Sequence, residues 1–176
     1  KSQWEDDIID GGSGTDTISF NGVNFGSATV GLSIDMSKGE AHVIGYSYGS
    51  GKTTYYNVEN IIGSEYDDLI YGDSSDKSLY GSYGNDYIYG GRGNDVIDGG
   101  ANSSDQGDIA GYSSERNQID VSISNSSSYD WQVSGEGYTD TLRNIEQIEA
   151  NSRYFNSIYL NNDDYDISYV KNTDLI

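Results

Sequence analysis

Apolar residues in the middle of this chain recur every nine positions, and polar residues fill the spaces in a fixed order. Laid out in rows of nine, residues 63–71 read GSEYDDLIY, 72–80 GDSSDKSLY, 81–89 GSYGNDYIY and 90–98 GGRGNDVID, with no gap. A fifth row opens at Gly99 as GGANSSDQGDIA and carries an insertion. The first column is Gly throughout. The sixth holds Asp68, Lys77, Asp86, Asp95 and Asp108, and the eighth Ile70, Leu79, Ile88, Ile97 and Ala110. Two earlier rows share the frame: residues 2–10 place Asp7 and Ile9 in these columns, and residues 11–19 place Asp16 and Ile18 there. An apolar residue between two outward neighbours predicts a three-residue strand with one side chain inward. Gly tolerates positive φ and close approach, so it predicts a tight turn ahead of each strand. Two rows then make one coil, with rows n and n+2 stacked. Each coil buries only two aliphatic side chains, a thin core.

The flanks carry a different period. Val30, Leu32 and Ile34 alternate, then His42 and Ile44 beyond a turn at 36–39. Val121 and Ile123 alternate, then Trp131 and Val133 beyond a turn at 125–128. Such alternation predicts half-buried antiparallel strands, hence two β-hairpins beside or capping the coils. Each hairpin leads to an Asn-x-Glu segment that returns to the nine-residue frame. Glu59 and Ile61, and Glu146 and Ile148, occupy the sixth and eighth columns. One domain is expected: repeat rows at 1–20, a hairpin at 21–53, central rows at 54–112, a second hairpin unit at 113–150, and a tail at 151–176. In the tail Tyr154, Ile158 and Leu160 suggest one more strand, and 161–166 is an acidic stretch.

Charge changes the picture. Lys and Arg total 9 against 29 Asp and Glu, a formal net charge of -20. A folded chain with that imbalance repels itself unless a cation neutralises it. Nucleic acid and anionic membrane surfaces are disfavoured as partners, and no apolar run is long enough to insert into a membrane. Hydrophobic residues make up only 34% of the chain, a composition that often means disorder, yet the fixed columns and 17 Tyr argue for a conditional fold. With no Cys there is neither a disulfide nor a thiolate metal site. Stacked turns would gather Asp carboxylates and backbone carbonyls around a shared gap, and such hard oxygen ligands suit Ca²⁺.

These rows resemble the GGxGxDxUx nonapeptide of the RTX (hemolysin-type) calcium-binding repeats. The resemblance implies an all-β fold, a right-handed parallel β-roll flanked or capped by the hairpins, with calcium between successive turns. It implies metal ligation by Asp7, Asp16, Asp68, Asp86, Asp95 and Asp108. It adds backbone carbonyls of the second and fourth columns: Ser64, Tyr66, Ser82, Gly84 and Gly100, with Gly12, Gly14, Gly91 and Gly93. The "DTLxNIExI" segment of many such sequences further implicates Asn57, Glu59, Asn144 and Glu146. Stacking rows 63, 81 and 99 on one edge predicts ions between Asp68 and Asp86 and between Asp86 and Asp108. The other edge departs at Lys77, whose ammonium repels Ca²⁺ and cannot ligate it. Sites there between Glu59, row 72–80 and Asp95 are expected to be weaker or altered, with Asp73 and Asp76 as partial compensation.

The same resemblance implies a non-catalytic module of a larger extracellular protein, exported unfolded through type I secretion machinery and folded outside by calcium. The end Asp174-Leu175-Ile176 vaguely resembles acidic-then-apolar secretion signals. Catalytic constellations find little support. His42 is the single His, so no triad or His-based zinc site is available. The stretch at 49–54, GSGKTT, lacks the first Gly of a phosphate loop, Tyr46 standing there. Tyr71, Tyr80, Tyr87 and Tyr89 are candidate ligand-binding residues, because exposed Tyr can stack on sugar rings or form an interface. That leaves an alternative: an accessory module for an anionic polysaccharide, similar to the R-modules beside alginate epimerases, or an adhesin segment for a cell surface. A hairpin lying over this face would reduce these Tyr to packing.

Overall fold

A computed structural model describes residues 6–23, 30–45, 51–102, 107–112, 119–123, 130–135, 137–150, 155–159 and 170–172. Among the described residues every regular element is a strand. The chain passes back and forth between two sheets. Strand β1 (Asp7–Asp10) lies in the first sheet and β2 (Thr17–Ser19) in the second. The first sheet then takes β3 (Leu32–Asp35), β4 (Glu40–Val43) and β5 (Lys52–Tyr56). The central rows alternate strictly: β6 (Asn60–Ile62), β8 (Ser78–Gly84) and β10 (Val96–Asn102) in the second sheet, β7 (Leu69–Tyr71), β9 (Tyr87–Tyr89) and β11 (Ile109–Tyr112) in the first. Strands β12 (Ile119–Ile123), β13 (Trp131–Gly135) and β14 (Tyr138–Arg143) follow in the second. Then come β15 (Gln147–Ala150) in the first, β16 (Phe155–Tyr159) in the second and β17 (Val170–Asn172) in the first. The nine-stranded sheet runs β1-β5-β4-β3-β7-β9-β11-β15-β17 and the eight-stranded sheet β16-β12-β13-β14-β10-β8-β6-β2.

The parallel register is the predicted one. Ile70 pairs with Ile88 and Leu79 with Ile97, each 18 residues on, which is two rows per coil. Ala110 and Ile148 continue the first file, and Ile18, Ile61 and Leu142 extend the second. Ile61, Ile70, Leu79, Ile88, Ile97 and Leu142 are all fully buried. One inward side chain per row stabilises by roughly 1.5–3 kcal/mol, so the turns must contribute the rest of the cohesion.

The two hairpin units do not cap the coils. Each is an antiparallel three-strand meander inserted within a sheet. β5, β4 and β3 lie between parallel neighbours β1 and β7, and β14, β13 and β12 lie between β10 and β16. The two units are thus equivalent insertions on opposite sheets, as the repetition of the flanks suggested. Their alternation is as expected for β3, where Leu32 and Ile34 point inward, but the phase of β4 differs. Ala41 and Val43 are buried and His42 is exposed. The turn at 36–39 sets Ile34 opposite Ala41 and Leu32 opposite Val43, so a one-residue phase error moves His42 to the wrong face. In the second unit Val133 is buried and Trp131 packs against the core. The turn at 125–128, Tyr154, Leu160, the stretch at 161–166 and the last three residues lie outside the described residues. Ile158 is on β16, where a strand was expected.

Candidate metal centre

The sixth column lies two residues before the inward position, so strand pairing stacks sixth-column residues along each edge of the roll. One edge carries Asp68, Asp86, Asp108 and Glu146; the other carries Asp16, Glu59, Lys77, Asp95 and Asp140. On both edges a carboxylate accepts the backbone N–H of the column residue one coil earlier. Asp68 N–H donates to Asp86 Oδ1 at 2.8 Å, Asp86 N–H to Asp108 Oδ1 at 2.7 Å and Asp108 N–H to Glu146 Oε2 at 2.7 Å. Likewise Asp16 N–H donates to Glu59 Oε2 at 2.8 Å, Lys77 N–H to Asp95 Oδ1 at 2.8 Å and Asp95 N–H to Asp140 Oδ1 at 2.9 Å. The first ladder starts on the meander, where Leu32 N–H donates to Asp68 Oδ1 at 2.6 Å.

Asp86, Asp95 and Asp108 each use one oxygen in this way, and the second is left over. Oδ2 of Asp16, Asp86, Asp95 and Asp108 is buried with no hydrogen-bond partner. Leaving a buried carboxylate oxygen unmatched costs several kcal/mol unless a cation meets it. The fold makes room for this oxygen at the first column. A Cβ on Gly81 would lie 2.1 Å from Asp86 Oδ2, so only Gly lets the carboxylate fold back over the start of its own row. Positive φ belongs instead to the second and fourth columns, as at Gly91 and Gly93, with Ser82 (φ 90) the exception that is not Gly.

Electrostatics point the same way. Burial, with the charges of Asp68 and Asp108 adding to it, pushes the Asp86 carboxyl up to about 8. Burial and the charge of Asp140 push Asp95 to about 7. Burial raises Asp108 to about 6, with Glu146 adding to it, and raises Asp68 to about 6 against the opposing N–H groups of Leu32 and Ser64. Dry, stacked, like-charged carboxyls prefer to be neutral unless a cation lies between them. Every donor in the column is an oxygen except at Lys77, which suits a hard divalent ion. Among the described residues no group of three or more His, Cys, Asp or Glu side chains gathers at one point. An ion here would therefore draw its remaining ligands from backbone carbonyls.

The other predicted residues fall as follows. The turns stack closely: a Cβ on Gly100 would lie 2.2 Å from the Ser82 carbonyl oxygen, and one on Gly84 would lie 2.7 Å from the Tyr66 carbonyl carbon. Ser64 serves Asp68 directly, through its N–H at 2.6 Å and its hydroxyl at 2.8 Å. A Cβ on Gly12 or Gly14 would meet nothing within 4 Å, so that turn has no described neighbour over those positions. Asp7 pairs in register with Thr53, so its column neighbour is not an acid, whereas Asp16 pairs with Glu59. Asn57 and Asn144 occupy equivalent left-handed positions (φ 54 and 48). Their carboxamides donate to Asp10 Oδ1 at 2.8 Å and Asp98 Oδ1 at 2.7 Å. Lys77 meets Asp73 at 3.2 Å, while Asp76 is engaged by the Asn94 N–H at 2.8 Å. Tyr71 and Tyr89 neighbour each other on the first sheet, ring centroids 6.5 Å apart and tilted by 54°. Tyr80 is on the second sheet, and Tyr87 lies against Gly111. The first meander borders the Tyr71–Tyr89 groove with Asp35, Met36 and Ser37 and does not cover it.

Two features escaped the sequence reading. Asp140 belongs to the second ladder; the row at 135–143, GEGYTDTLR, carries the signal in the proper columns. Its Oδ2 accepts the buried Tyr112 hydroxyl at 2.8 Å. The fifth column forms another ladder, of opposite direction. Asp67 Oδ1 accepts the Asn85 N–H at 2.8 Å, and Asn85 Oδ1 accepts the Gly107 N–H at 3.2 Å. Asp76 and Asn94 repeat this on the other edge, Asn94 Oδ1 accepting the Thr139 N–H at 2.9 Å. The run Asp67, Asp76, Asn85, Asn94 was visible as a column of Asp and Asn.

Parallel coils with acid-lined turns define a calcium-type β-roll. Residues 5–24, 56–76 and 78–103 match the RTX calcium-binding nonapeptide repeat, in four copies, and the chain carries these repeats. The matched residues end before the second meander, so Asp140 and Glu146 join the acidic column by register and hydrogen bonding alone.

Proposed function

We propose that this chain is a non-catalytic calcium-binding module that folds on binding calcium after export, and that it stabilises or presents a larger extracellular protein. The buried, unpartnered Oδ2 atoms along the Asp column carry the reading. Ions belong between Asp68 and Asp86 and between Asp86 and Asp108, completed by carbonyls of Ser64, Tyr66, Ser82, Gly84 and Gly100. Further steps lie between Asp108 and Glu146 and between Asp16 and Glu59. Without ions the stacked carboxylates oppose folding, and ion binding supplies folding free energy. Low cytosolic calcium then keeps the chain unfolded for a type I exporter, and calcium outside folds it. Far-UV circular dichroism during a calcium titration after chelation tests this. A cooperative gain of β signal with calcium, absent with magnesium, is expected; a spectrum already folded and indifferent to calcium would overturn it.

A second reading rests on the Tyr71–Tyr89 pair, which lines an open groove with Gly72, Asp73 and Arg92. Paired rings of this kind can stack on a polysaccharide. Glycan-array binding lost in Tyr71→Ala and Tyr89→Ala, with calcium-driven folding retained, would favour it. Uniformly negative arrays would leave the folding module as the function.

A further inference from the structure

The second edge of the roll is acidic at Asp16, Glu59, Asp95 and Asp140 but carries Lys77 between Glu59 and Asp95. Lys77 is only 7% exposed, a rare state for an ammonium. Its backbone obeys the ladder, donating to Asp95 Oδ1 at 2.8 Å as Asp68 donates to Asp86. Its side chain folds back over its own turn, Nζ lying 3.2 Å from Oδ2 of Asp73. Asp73 is the second-column residue of that row. On the opposite edge Asp68 folds back the same way, onto second-column Ser64. In row 72–80 the acid has therefore moved to the second column and a base has taken the sixth. Row 63–71 has an acid in the sixth column over a neutral second column, whereas row 72–80 has a base in the sixth over an acid in the second.

That exchange removes what a calcium ion needs and supplies what it would have provided. The sixth column here offers no oxygen, and a positive charge fixed in the turn repels a second cation. Asp73, which could have acted as a replacement ligand, is already paired with the ammonium and with the N–H and hydroxyl of Ser75 at 2.8 and 3.0 Å. We propose that Lys77 is a built-in counter-cation standing in for calcium in the turn of row 72–80, so that the coil steps on either side of it close without an ion. The inference rests on the calcium reading above and deepens it. The two edges become unequal: Asp68, Asp86 and Asp108 wait for ions, while the middle of the other edge brings its own charge.

Bound calcium per chain, measured by equilibrium dialysis and atomic emission, tests this in wild type, Lys77→Asp and Asp73→Asn, with folding followed by circular dichroism. Lys77→Asp should take up at least one more calcium than wild type and should need more calcium to reach its folded signal. Asp73→Asn should take up no more calcium than wild type but should be less stable in saturating calcium, since it leaves a buried ammonium unpaired. An unchanged calcium count in a folded Lys77→Asp chain overturns the inference. If Lys77→Asp does not fold, the inference falls where Asp73→Asn gains calcium or keeps wild-type stability. Wild type that binds no calcium overturns the calcium reading itself, a result distinct from either.

Discussion

Acid and calcium should substitute for one another in this fold, and Asp86 sets the scale. Its Oδ1 accepts the Asp68 N–H, its Oδ2 is buried without a partner, and its carboxyl is raised from 3.8 to about 8. A folded-state value above the unfolded one means a contribution to stability that is full below about pH 4. It is lost as pH rises through 8. Roughly four units at 1.36 kcal/mol each set a ceiling of about 5 kcal/mol. Asp68 and Asp108 titrate along with it, so their contributions do not simply add. This is comparable with the whole stability of an ordinary domain, about 5–15 kcal/mol. Calcium-free protein should therefore be more fully folded at pH 5 than at pH 8, and calcium, which on the proposed reading binds the ionised column, should reverse that order. Asp86→Asn keeps an acceptor for Asp68 and removes the titrating charge. In calcium-free buffer it should flatten the rise in instability with pH by up to about 1.4 kcal/mol per unit. In saturating calcium it should lose stability, because a ligand facing both neighbouring sites is gone. Far-UV circular dichroism at the two pH values reads the folded fraction without calcium and the urea midpoint with it, four arms in all. Equal destabilisation of Asp86→Asn in every arm would show that Asp86 acts as an ordinary hydrogen-bonding residue and would refute the reasoning.

Other substitutions separate the core, the backbone and the fifth column from the ion sites. Ile88 is fully buried between Ile70 and Ala110, so Ile88→Ala should cost about 2–5 kcal/mol in calcium-saturated urea unfolding without changing the calcium count. Ser82 holds φ 90 in a column where the next two rows place Gly91 and Gly100 at positive φ. Ser82→Gly should raise calcium-saturated stability by about 1 kcal/mol, seen as a higher thermal midpoint. Asn85→Ala removes the acceptor of the Gly107 N–H and should cost on the order of 1 kcal/mol. A lower calcium affinity in Asn85→Ala would mean that the fifth column takes part in ion binding after all.

What the sequence made legible was whatever a single row contains. One period of nine encodes the turn, the strand, the inward Ile and the acidic position, because these depend on neighbours within a few residues. Parallel stacking with a two-row step followed from the same period, and the registers of Ile70 with Ile88 and Leu79 with Ile97 realise it. The meanders were harder. Alternation announces a strand but leaves its phase to the turn, and His42 and Ala41 differ by one position. Nor does alternation say whether a hairpin covers a sheet or joins it. That depends on free edges, and here β3 and β5 found parallel partners in β7 and β1. Asp140 was overlooked for a related reason: its row follows a meander, and only its partnership with Asp95 across the sheet restores it to the column.

The two ladders explain why a chain this acidic can fold as a roll. In the fifth column a side-chain oxygen reaches forward to the next coil's N–H, as Asp67 does to Asn85. In the sixth it reaches back to the previous one, as Asp86 does to Asp68. The first works with Asn or Asp, since only an acceptor is required. The second leaves Oδ2 of Asp86, Asp95 and Asp108 over, and on the proposed reading an ion meets that remainder. A column of Asn in the sixth position would keep the hydrogen bond and remove the remainder. On that reading Asp there, with Gly at the row's start so that no Cβ fills the space, makes cohesion of the turns conditional on a cation. At Lys77 the column instead brings its own positive charge, paired with Asp73.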